Sequence, residues 1–236
     1  EHPMRNMHNW MVTSCHATFS RPVPFQVGGD RLGMRQEVDY RLAPENPYPA
    51  PVEDCVSALM WLNAHVAEFD VPSGQIILAG ESAGGGLAAW TALLARDRGV
   101  DPAPRGQLLI APMLDHRSAT PAMHLIQNVG MWDRASNIFG WSALHGQTAR
   151  AAIEPYTSPA MAQDLAGLPP TYIDVGGADA FRDESIDYAA RISAAGGLVD
   201  LHVWAGAFHG SDGMIPTAHV SRAARSGRLG WIERLL

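Results

Sequence analysis

The chain has 236 residues, which is enough for one substantial α/β domain but too few for two. Its formal net charge is −7 and it has no lysine- or arginine-rich run, so we expect no nucleic-acid partner, because phosphate neutralisation needs clustered cations. Two cysteines make no disulfide framework, and neither a membrane-spanning apolar run nor a signal peptide is evident, so the sequence predicts a soluble cytoplasmic protein.

Predicted helices and strands alternate along the chain from Asp39 onward. Apolar residues recur at helical spacing from Pro51, and Pro51 and Glu53 both suit the opening turn of a helix. The predicted helices are 51–69, 85–98, 183–195 and 221–236, and the predicted strands are 75–79, 106–111, 171–175 and 198–204. Continuous apolar strands between helices predict the α/β class, with a mostly parallel sheet covered by helices on both faces.

The alternation breaks down between residues 113 and 170. Aromatic residues there surround a short helical stretch, and Trp132, Phe139 and Trp141 are among them. A long excursion from a compact domain is typical of a lid or cap with its own short helices. We therefore expect residues of about 113–170 to form a cap-like insert within an α/β domain that runs from residue 38 to residue 236.

The strongest chemical signal is the G-x-S-x-G sequence Gly80-Glu81-Ser82-Ala83-Gly84. A buried strand precedes it and a helix follows it, which predicts that Ser82 lies on a sharp strand-to-helix turn with its hydroxyl above the sheet. The N–H of Ala83 and the start of that helix would then favour negative charge on the oxygen of an attacked carbonyl. In the alternative interpretation, Ser82 only caps a helix beside a tight turn.

A serine nucleophile needs a base and an acid, and in hydrolases of this kind the chain order is serine, acid, histidine. His209 and Asp179 each lie in a loop after a predicted strand, where parallel α/β folds hold their sites. Asp183 and Glu184 open the next helix, so we assign them to helix capping and choose Asp179 as the acid. Five other histidines are expected to be solvated or structural: His65, His116, His124, His145 and His202.

Several motifs in order resemble the hormone-sensitive-lipase-like esterases, the bacterial group called family IV. They span roughly residues 38–236 and are Asp39-Tyr40-Arg41-Leu42-Ala43-Pro44-Glu45, Val52-Glu53-Asp54, Gly80-Glu81-Ser82-Ala83-Gly84-Gly85, Leu168-Pro169-Pro170-Thr171, Asp179 with Arg182-Asp183-Glu184, and Phe208-His209-Gly210. The resemblance implies the α/β-hydrolase fold, a Ser82–Asp179–His209 triad, and a small, short-chain carboxylic ester as substrate. It also implies a structural role for the segment Asp39 to Glu45.

No metal ion or organic cofactor is expected. The sequence has no His-Glu-x-x-His pattern, and its glycine cluster after Ser82 belongs to the serine turn and not to a phosphate-binding loop.

The N-terminal segment, residues 1–37, departs from that family. Its members carry a His-Gly-Gly-Gly loop whose N–H groups complete the oxyanion hole. Counting back from Ser82 places the loop histidine at His8, but Asn9 and Trp10 follow in place of glycines, so these two are the further candidate oxyanion donors beside Ala83. Either a change of reading frame that ends just before Val38, or truncation together with an unrelated leader, would explain the departure.

Two expectations follow from this departure. Without the strands that family members have before Val38, the sheet would expose an apolar edge, so we expect a homodimer or a larger homo-oligomer. Loss of one oxyanion donor lowers turnover by about 10²–10³-fold, so we also expect weak activity.

The competing functional hypothesis is a catalytically impaired or ligand-binding protein on the same scaffold. The family includes plant hormone receptors that bind a small ligand without hydrolysing it, and those lack the catalytic histidine. His209 is present here, which favours an enzyme. A peptidase or amidase on this fold has no local feature in its favour.

Overall fold

A computed structural model of the chain describes residues 23–27, 30–35, 37–69, 71–146 and 158–235. Two strands, β1 (Val23–Val27) and β2 (Asp30–Arg35), form a small antiparallel sheet. The main sheet has four parallel strands in the spatial order β3-β4-β5-β6, which are β3 (Ile77–Glu81), β4 (Gly106–Ile110), β5 (Thr171–Gly176) and β6 (Val199–Trp204). The parallel sheet predicted from the sequence is confirmed.

Helices separate the strands of the main sheet. They are α1 (Ala50–His65), α2 (Ala83–Asp97), α3 (Pro121–Leu125), α4 (Arg134–His145), α5 (Arg182–Ala194), α6 (Ser211–Met214) and α7 (His219–Leu235), with 3₁₀ turns at Val66–Phe69 and Pro159–Met161. The four long helices predicted from the sequence correspond to α1, α2, α5 and α7. No helix in the described ranges is long and apolar enough to cross a bilayer.

Helices cover the two faces of the main sheet, because successive strand residues point to opposite sides. Leu109 of β4 packs with Leu93 of α2 and Tyr188 of α5. The preceding residue, Leu108, packs instead with Trp231 of α7. The carboxyl ends of all four strands therefore meet at one edge of a sheet that is enclosed on both faces.

The predicted insert contributes its own helices, and its aromatic residues divide into buried and exposed ones. Thr120 caps α3 by accepting a hydrogen bond from the Met123 N–H, and Asp133 caps α4 in the same way through Ser136. Trp132 and Trp141 are buried in the core cluster around α2, whereas Phe139 is exposed. The described part of the insert is therefore packed onto the α/β core and is not a separate unit.

One element was not predicted. No strand is predicted before Val38, and this prediction is wrong, because β1 and β2 pair antiparallel from Val23 opposite Arg35 to Val27 opposite Asp30. The signal was present, since Gly28-Gly29 between two short runs is typical of two-residue hairpins. Gln26, Asp30 and Arg31 interrupt these two runs, so they lack the apolar continuity that predicts the strands of the main sheet.

Candidate active site

Ser82 lies on the turn between β3 and α2, and its backbone is strained. The strand ends at Glu81 and the helix begins at Ala83, so Ser82 alone makes the turn, with φ 56° and ψ −121°. A non-glycine residue held at positive φ costs about 1–3 kcal/mol and is found where the surrounding structure enforces it. The turn is tighter than predicted, because the sequence analysis ended the strand at Ala79 and began the helix at Gly85.

The surrounding main chain enforces this conformation. The Ser82 N–H donates to the Ile110 carbonyl at 2.9 Å, and the Ser82 carbonyl accepts from the N–H groups of Gly86 and Met113. A Cβ on Gly80 would lie 2.1 Å from the Gly84 carbonyl oxygen, so only glycine fits there. Hydrogen bonds and close packing therefore hold the serine in one orientation above β4.

The structure brings together the three side chains that the sequence predicted as a triad. Ser82 Oγ lies 3.0 Å from His209 Nε2, and His209 Nδ1 lies 3.0 Å from Asp179 Oδ2. Ser82 is 5% exposed, and the side chains of His209 and Asp179 are 13% and 1% exposed. Both distances are normal for hydrogen bonds, so a proton can pass between the serine and the imidazole.

Asp179 is fixed by the turn that follows β5. Its Oδ1 accepts from the Phe181 N–H at 2.9 Å, which leaves Oδ2 for the histidine. The Ala178 N–H donates to the Ala207 carbonyl at 2.9 Å and so ties the aspartate loop to the histidine loop. The Phe181 ring meets the His209 ring edge-on, with centroids 5.2 Å apart. These contacts orient the imidazole between its two partners.

Charges around His209 favour the protonated imidazole. Burial by itself lowers the pKa of His209, but the charge and hydrogen bond of Asp179, with the charges of Glu81 and Asp212, outweigh burial and raise the pKa above its ordinary value. A base of raised pKa accepts a proton from serine more readily, provided that the pH is high enough to leave the imidazole neutral.

The capping role predicted for Asp183 and Glu184 was wrong. Phe181 is at the N-cap of α5 and no side chain caps that helix. Asp183 Oδ2 accepts instead from the Ala122 N–H at 2.6 Å, and Glu184 Oε1 accepts from the Leu114 N–H at 2.7 Å. Both carboxylates reach across to the insert, because its main chain presents N–H groups to the start of α5.

The remaining oxyanion candidates divide between described and undescribed residues. Ala83 is the first residue of α2, so its N–H has no acceptor within the helix and remains a candidate donor. Asn9 and Trp10 lie outside the described residues, and their role stays a prediction.

His65, His116, His145 and His202 have local contacts. His65 Nδ1 lies 2.7 Å from the Trp61 carbonyl oxygen, and the His202 ring stacks on Trp204. The rings of His116 and His145 lie 5.4 Å apart in the insert. In the ranges that the structure describes, no group of three or more His, Cys, Asp or Glu side chains could hold a metal ion.

Hydrogen bonds between Arg41 and Asp54 join the segment from Asp39 to Glu45 to α1. Arg41 donates to the Asp54 carboxylate through its main-chain N–H at 2.9 Å and through its guanidinium at 2.8–3.2 Å. The contact is a structural link, in keeping with the role implied for this motif by the resemblance.

Sequence reasoning missed a group of charged residues beside His209. They are Asp174 on β5, Asp212 on α6 and Arg228 on α7, and Glu81 next to the serine belongs with them. One signal could have revealed Asp174, because it interrupts the apolar strand Tyr172-Ile173-Asp174-Val175, and a buried carboxylate requires a partner.

Comparisons with known proteins identify the fold family. Residues 36–212 match the α/β hydrolase fold family. The chain is 38% identical over 181 residues to carboxylic ester hydrolase LipN of Mycobacterium tuberculosis, covering 73% of this chain and 47% of LipN. It is 33% identical over 188 residues to an acetyl-hydrolase of Streptomyces hygroscopicus, covering 77% of this chain and 58% of that protein.

A solved structure extends the agreement to three dimensions. Bacterial heroin esterase superposes with a TM-score of 0.82 at 41% identity, over 85% of this chain and 64% of that one. The chain thus spans about half the length of the curated relatives it matches. The matched family, these relatives and the motifs converge, and the chain belongs to the hormone-sensitive-lipase-like group of the α/β-hydrolase fold family.

Proposed function

We propose that the chain carries the catalytic centre of a serine carboxylesterase that hydrolyses small, short-chain carboxylic esters through an acyl-enzyme intermediate. The observation that carries the proposal is the pair of 3.0 Å contacts that link Ser82, His209 and Asp179. The strained turn at Ser82 supports it as well, because strain of this kind clusters at reactive positions.

The proposed reaction has two halves. Ser82 Oγ attacks the ester carbonyl while His209 Nε2 accepts the serine proton. Asp179 holds the tautomer that leaves Nε2 free and stabilises the imidazolium. His209 then gives the proton to the departing alcohol. Water repeats the sequence on the acyl-enzyme and releases the carboxylic acid.

The candidate donor for negative charge on the carbonyl oxygen is the main-chain N–H of Ala83. The N–H of Ala83 opens α2, where the partial positive charge of the helix end also stabilises an anion. If Asn9 and Trp10 do not supply further N–H groups, we expect turnover of p-nitrophenyl acetate about 10²–10³-fold below that of an esterase with a complete oxyanion hole. Turnover as fast as that of such an esterase would contradict the expectation.

A short acyl group is proposed from the relatives. LipN, the acetyl-hydrolase and the heroin esterase are named for ester or acetyl hydrolysis. Hydrolysis rates for p-nitrophenyl esters of increasing acyl length test this point, and we expect acetate and butyrate to exceed longer acyl groups.

A fluorophosphonate probe tests the nucleophile directly. We expect Ser82 to be labelled and the Ser82→Ala variant to remain unlabelled, because only an activated serine hydroxyl attacks the probe. Absence of labelling in the folded wild-type protein would contradict the esterase proposal and favour the ligand-binding alternative.

A further inference from the structure

A small cavity with several charged side chains in its lining lies next to the loop that carries His209. Besides Asp179 of the triad, charged side chains from four elements line it: Glu81 from β3, Asp174 from β5, Asp212 from α6 and Arg228 from α7. Three carboxyl groups and one guanidinium therefore meet beside the imidazole. None of them takes part in the proposed reaction.

Arg228 binds two of these carboxylates at once. Its Nε and Nη2 donate to Asp174 at 2.8 and 3.2 Å, and its Nη1 donates to Asp212 at 2.5 Å. Trp204 Nε1 adds a third donor to Asp174 at 3.1 Å. The Asp174 side chain is fully buried and that of Arg228 is 14% exposed. Charge-assisted contacts of this geometry are among the stronger hydrogen bonds in proteins.

The contacts of α7 extend to the main chain after His209. Asp212 is in α6, which begins directly after Gly210. Arg225, one turn before Arg228 on α7, donates to the main-chain oxygens of Asp212 and Pro216. Helix α7 thus binds both the side chain and the backbone of the segment that follows the histidine.

We propose that Arg228 is a positioning residue, which ties Asp212 to Asp174 and thereby keeps the His209 loop within hydrogen-bond reach of Ser82. This role rests on the proposed esterase function. Arg228 lies beyond residues 36–212, the part of the chain that matches the family model, whereas Asp174 and Asp212 lie within it.

The same residues set the charge around the imidazole. His209 faces Asp179 from the loop after β5, Glu81 from the end of β3 and Asp212 from α6, with Arg228 and Asp174 behind them. Burial, then the charge of Asp212, raises the pKa of Glu81 as well. Arg228 offsets two of these negative charges, so the clamp has an electrostatic effect besides its mechanical one.

The mechanical role is tested with two variants at Arg228. We expect Arg228→Met to lower kcat by on the order of 10²-fold, since a small displacement of the base from the nucleophile has this effect. Arg228→Lys keeps the charge but cannot bridge two carboxylates with a planar fork, so an intermediate loss is expected. Arg234→Met is the matched control on α7, because Arg234 pairs with Asp200 near the surface, and we expect its kcat to equal that of the wild type.

The electrostatic role is tested with Asp212→Asn. Removing this negative charge leaves Arg228 less neutralised, and both changes lower the pKa of His209. We expect the acid limb of kcat/KM to move to lower pH by about one unit. A purely structural role would lower the melting temperature and leave the acid limb unchanged.

A titration of His209 by NMR separates this inference from the proposed function. The imidazole signal, assigned by its absence in His209→Gln, reports the pKa without turnover, and we expect a lower value in Asp212→Asn. If the wild-type protein is not labelled by the fluorophosphonate, the esterase proposal fails while this shift persists. If the wild type is labelled, a wild-type kcat in Arg228→Met overturns the positioning role. Should Arg228→Met not fold, a wild-type kcat in Arg228→Lys overturns it. It is likewise overturned if the His209 pKa is unchanged in Asp212→Asn.

Discussion

At the scale of single residues, Ser82 shows how the main chain prepares a reactive side chain. Its positive φ is maintained by three backbone hydrogen bonds and by glycines that leave no room for a side chain. The sequence could predict Ser82, because G-x-S-x-G has a fixed local geometry. It could not predict the roles of Arg228 and Asp212, because no motif or residue spacing in the sequence predicts a contact between α6, α7 and β5.

The first prediction concerns Gly80. In Gly80→Ala the new Cβ would lie 2.1 Å from the Gly84 carbonyl oxygen, and backbone cannot yield as a flexible side chain can. We expect a loss of about 3 kcal/mol or more in the free energy of unfolding, measured in urea. Gly230→Ala is the control, because a Cβ there meets nothing within 4 Å on α7, and it should be neutral or stabilising by up to about 1 kcal/mol. Equal stability of the two variants would contradict the steric account.

The second prediction concerns the choice of Asp179 over Asp183. In Asp179→Asn the amide can leave His209 in the wrong tautomer, so kcat/KM for p-nitrophenyl acetate should fall by about 10⁴-fold.

The pKa of His209 is raised mainly by Asp179 against burial, so wild-type activity should decline as the pH falls through a value above about 6.5. The residual activity of Asp179→Asn should persist to lower pH. Asp183→Asn is the control and should retain activity, since it bonds the insert at Ala122.

At the scale of elements, the start of α5 serves as an anchor for the insert. Glu184 is fully buried, and its Oε1 accepts from the N–H groups of Leu114 and Asp115. Burial raises the pKa of Glu184 well above its ordinary value. Sequence reasoning assigned this residue to helix capping because acidic residues are common at the start of a helix, where they satisfy N–H groups or complement the helix dipole. The acceptor role depends on where the insert passes, which the sequence around α5 does not encode.

The third prediction follows from that burial. Because burial raises the pKa of Glu184 in the folded protein, the folded protein binds this proton more tightly than the unfolded chain does, so stability falls as the pH rises from the unfolded-state pKa towards the folded-state pKa. Glu184→Gln keeps an acceptor for the two N–H groups and removes this dependence. Its stability relative to the wild type should therefore increase between pH 5 and pH 8, by at most about 1.4 kcal/mol per pH unit. Glu184→Ala should lose about 1–3 kcal/mol for each unsatisfied N–H. Parallel pH profiles for wild type and Glu184→Gln would contradict the assignment.

At the scale of the whole molecule, the order and direction of the strands determine where the triad residues meet. The three triad residues come from loops after β3, β5 and β6, and parallel pairing brings those loops to one edge of the sheet. That convergence was predictable, because continuous apolar strands between helices have few other arrangements. The C-terminal clamp was not, since it depends on contacts between segments that carry no shared motif, whereas the β1–β2 hairpin had a local signal in Gly28-Gly29.

The last prediction concerns self-association. In the described residues β3 pairs only with β4, and an open apolar groove lined by Val38, Leu62, Ile77 and Leu87 runs beside it. Unpaired strand edges next to apolar surface tend to pair with another chain, so we expect a dimer or larger assembly by light scattering at micromolar concentration.

Charged substitutions at the two edges of the sheet locate the interface. Ala79 is exposed on β3, and Ala79→Lys should lower the measured mass because a lysine at an edge opposes pairing. Leu201→Lys, at the opposite edge on β6, is the matched control and should leave the mass unchanged. A wild-type monomer would refute the prediction. A loss of mass in Leu201→Lys alone would assign association to β6, where the sheet offers the other row of unpaired backbone groups.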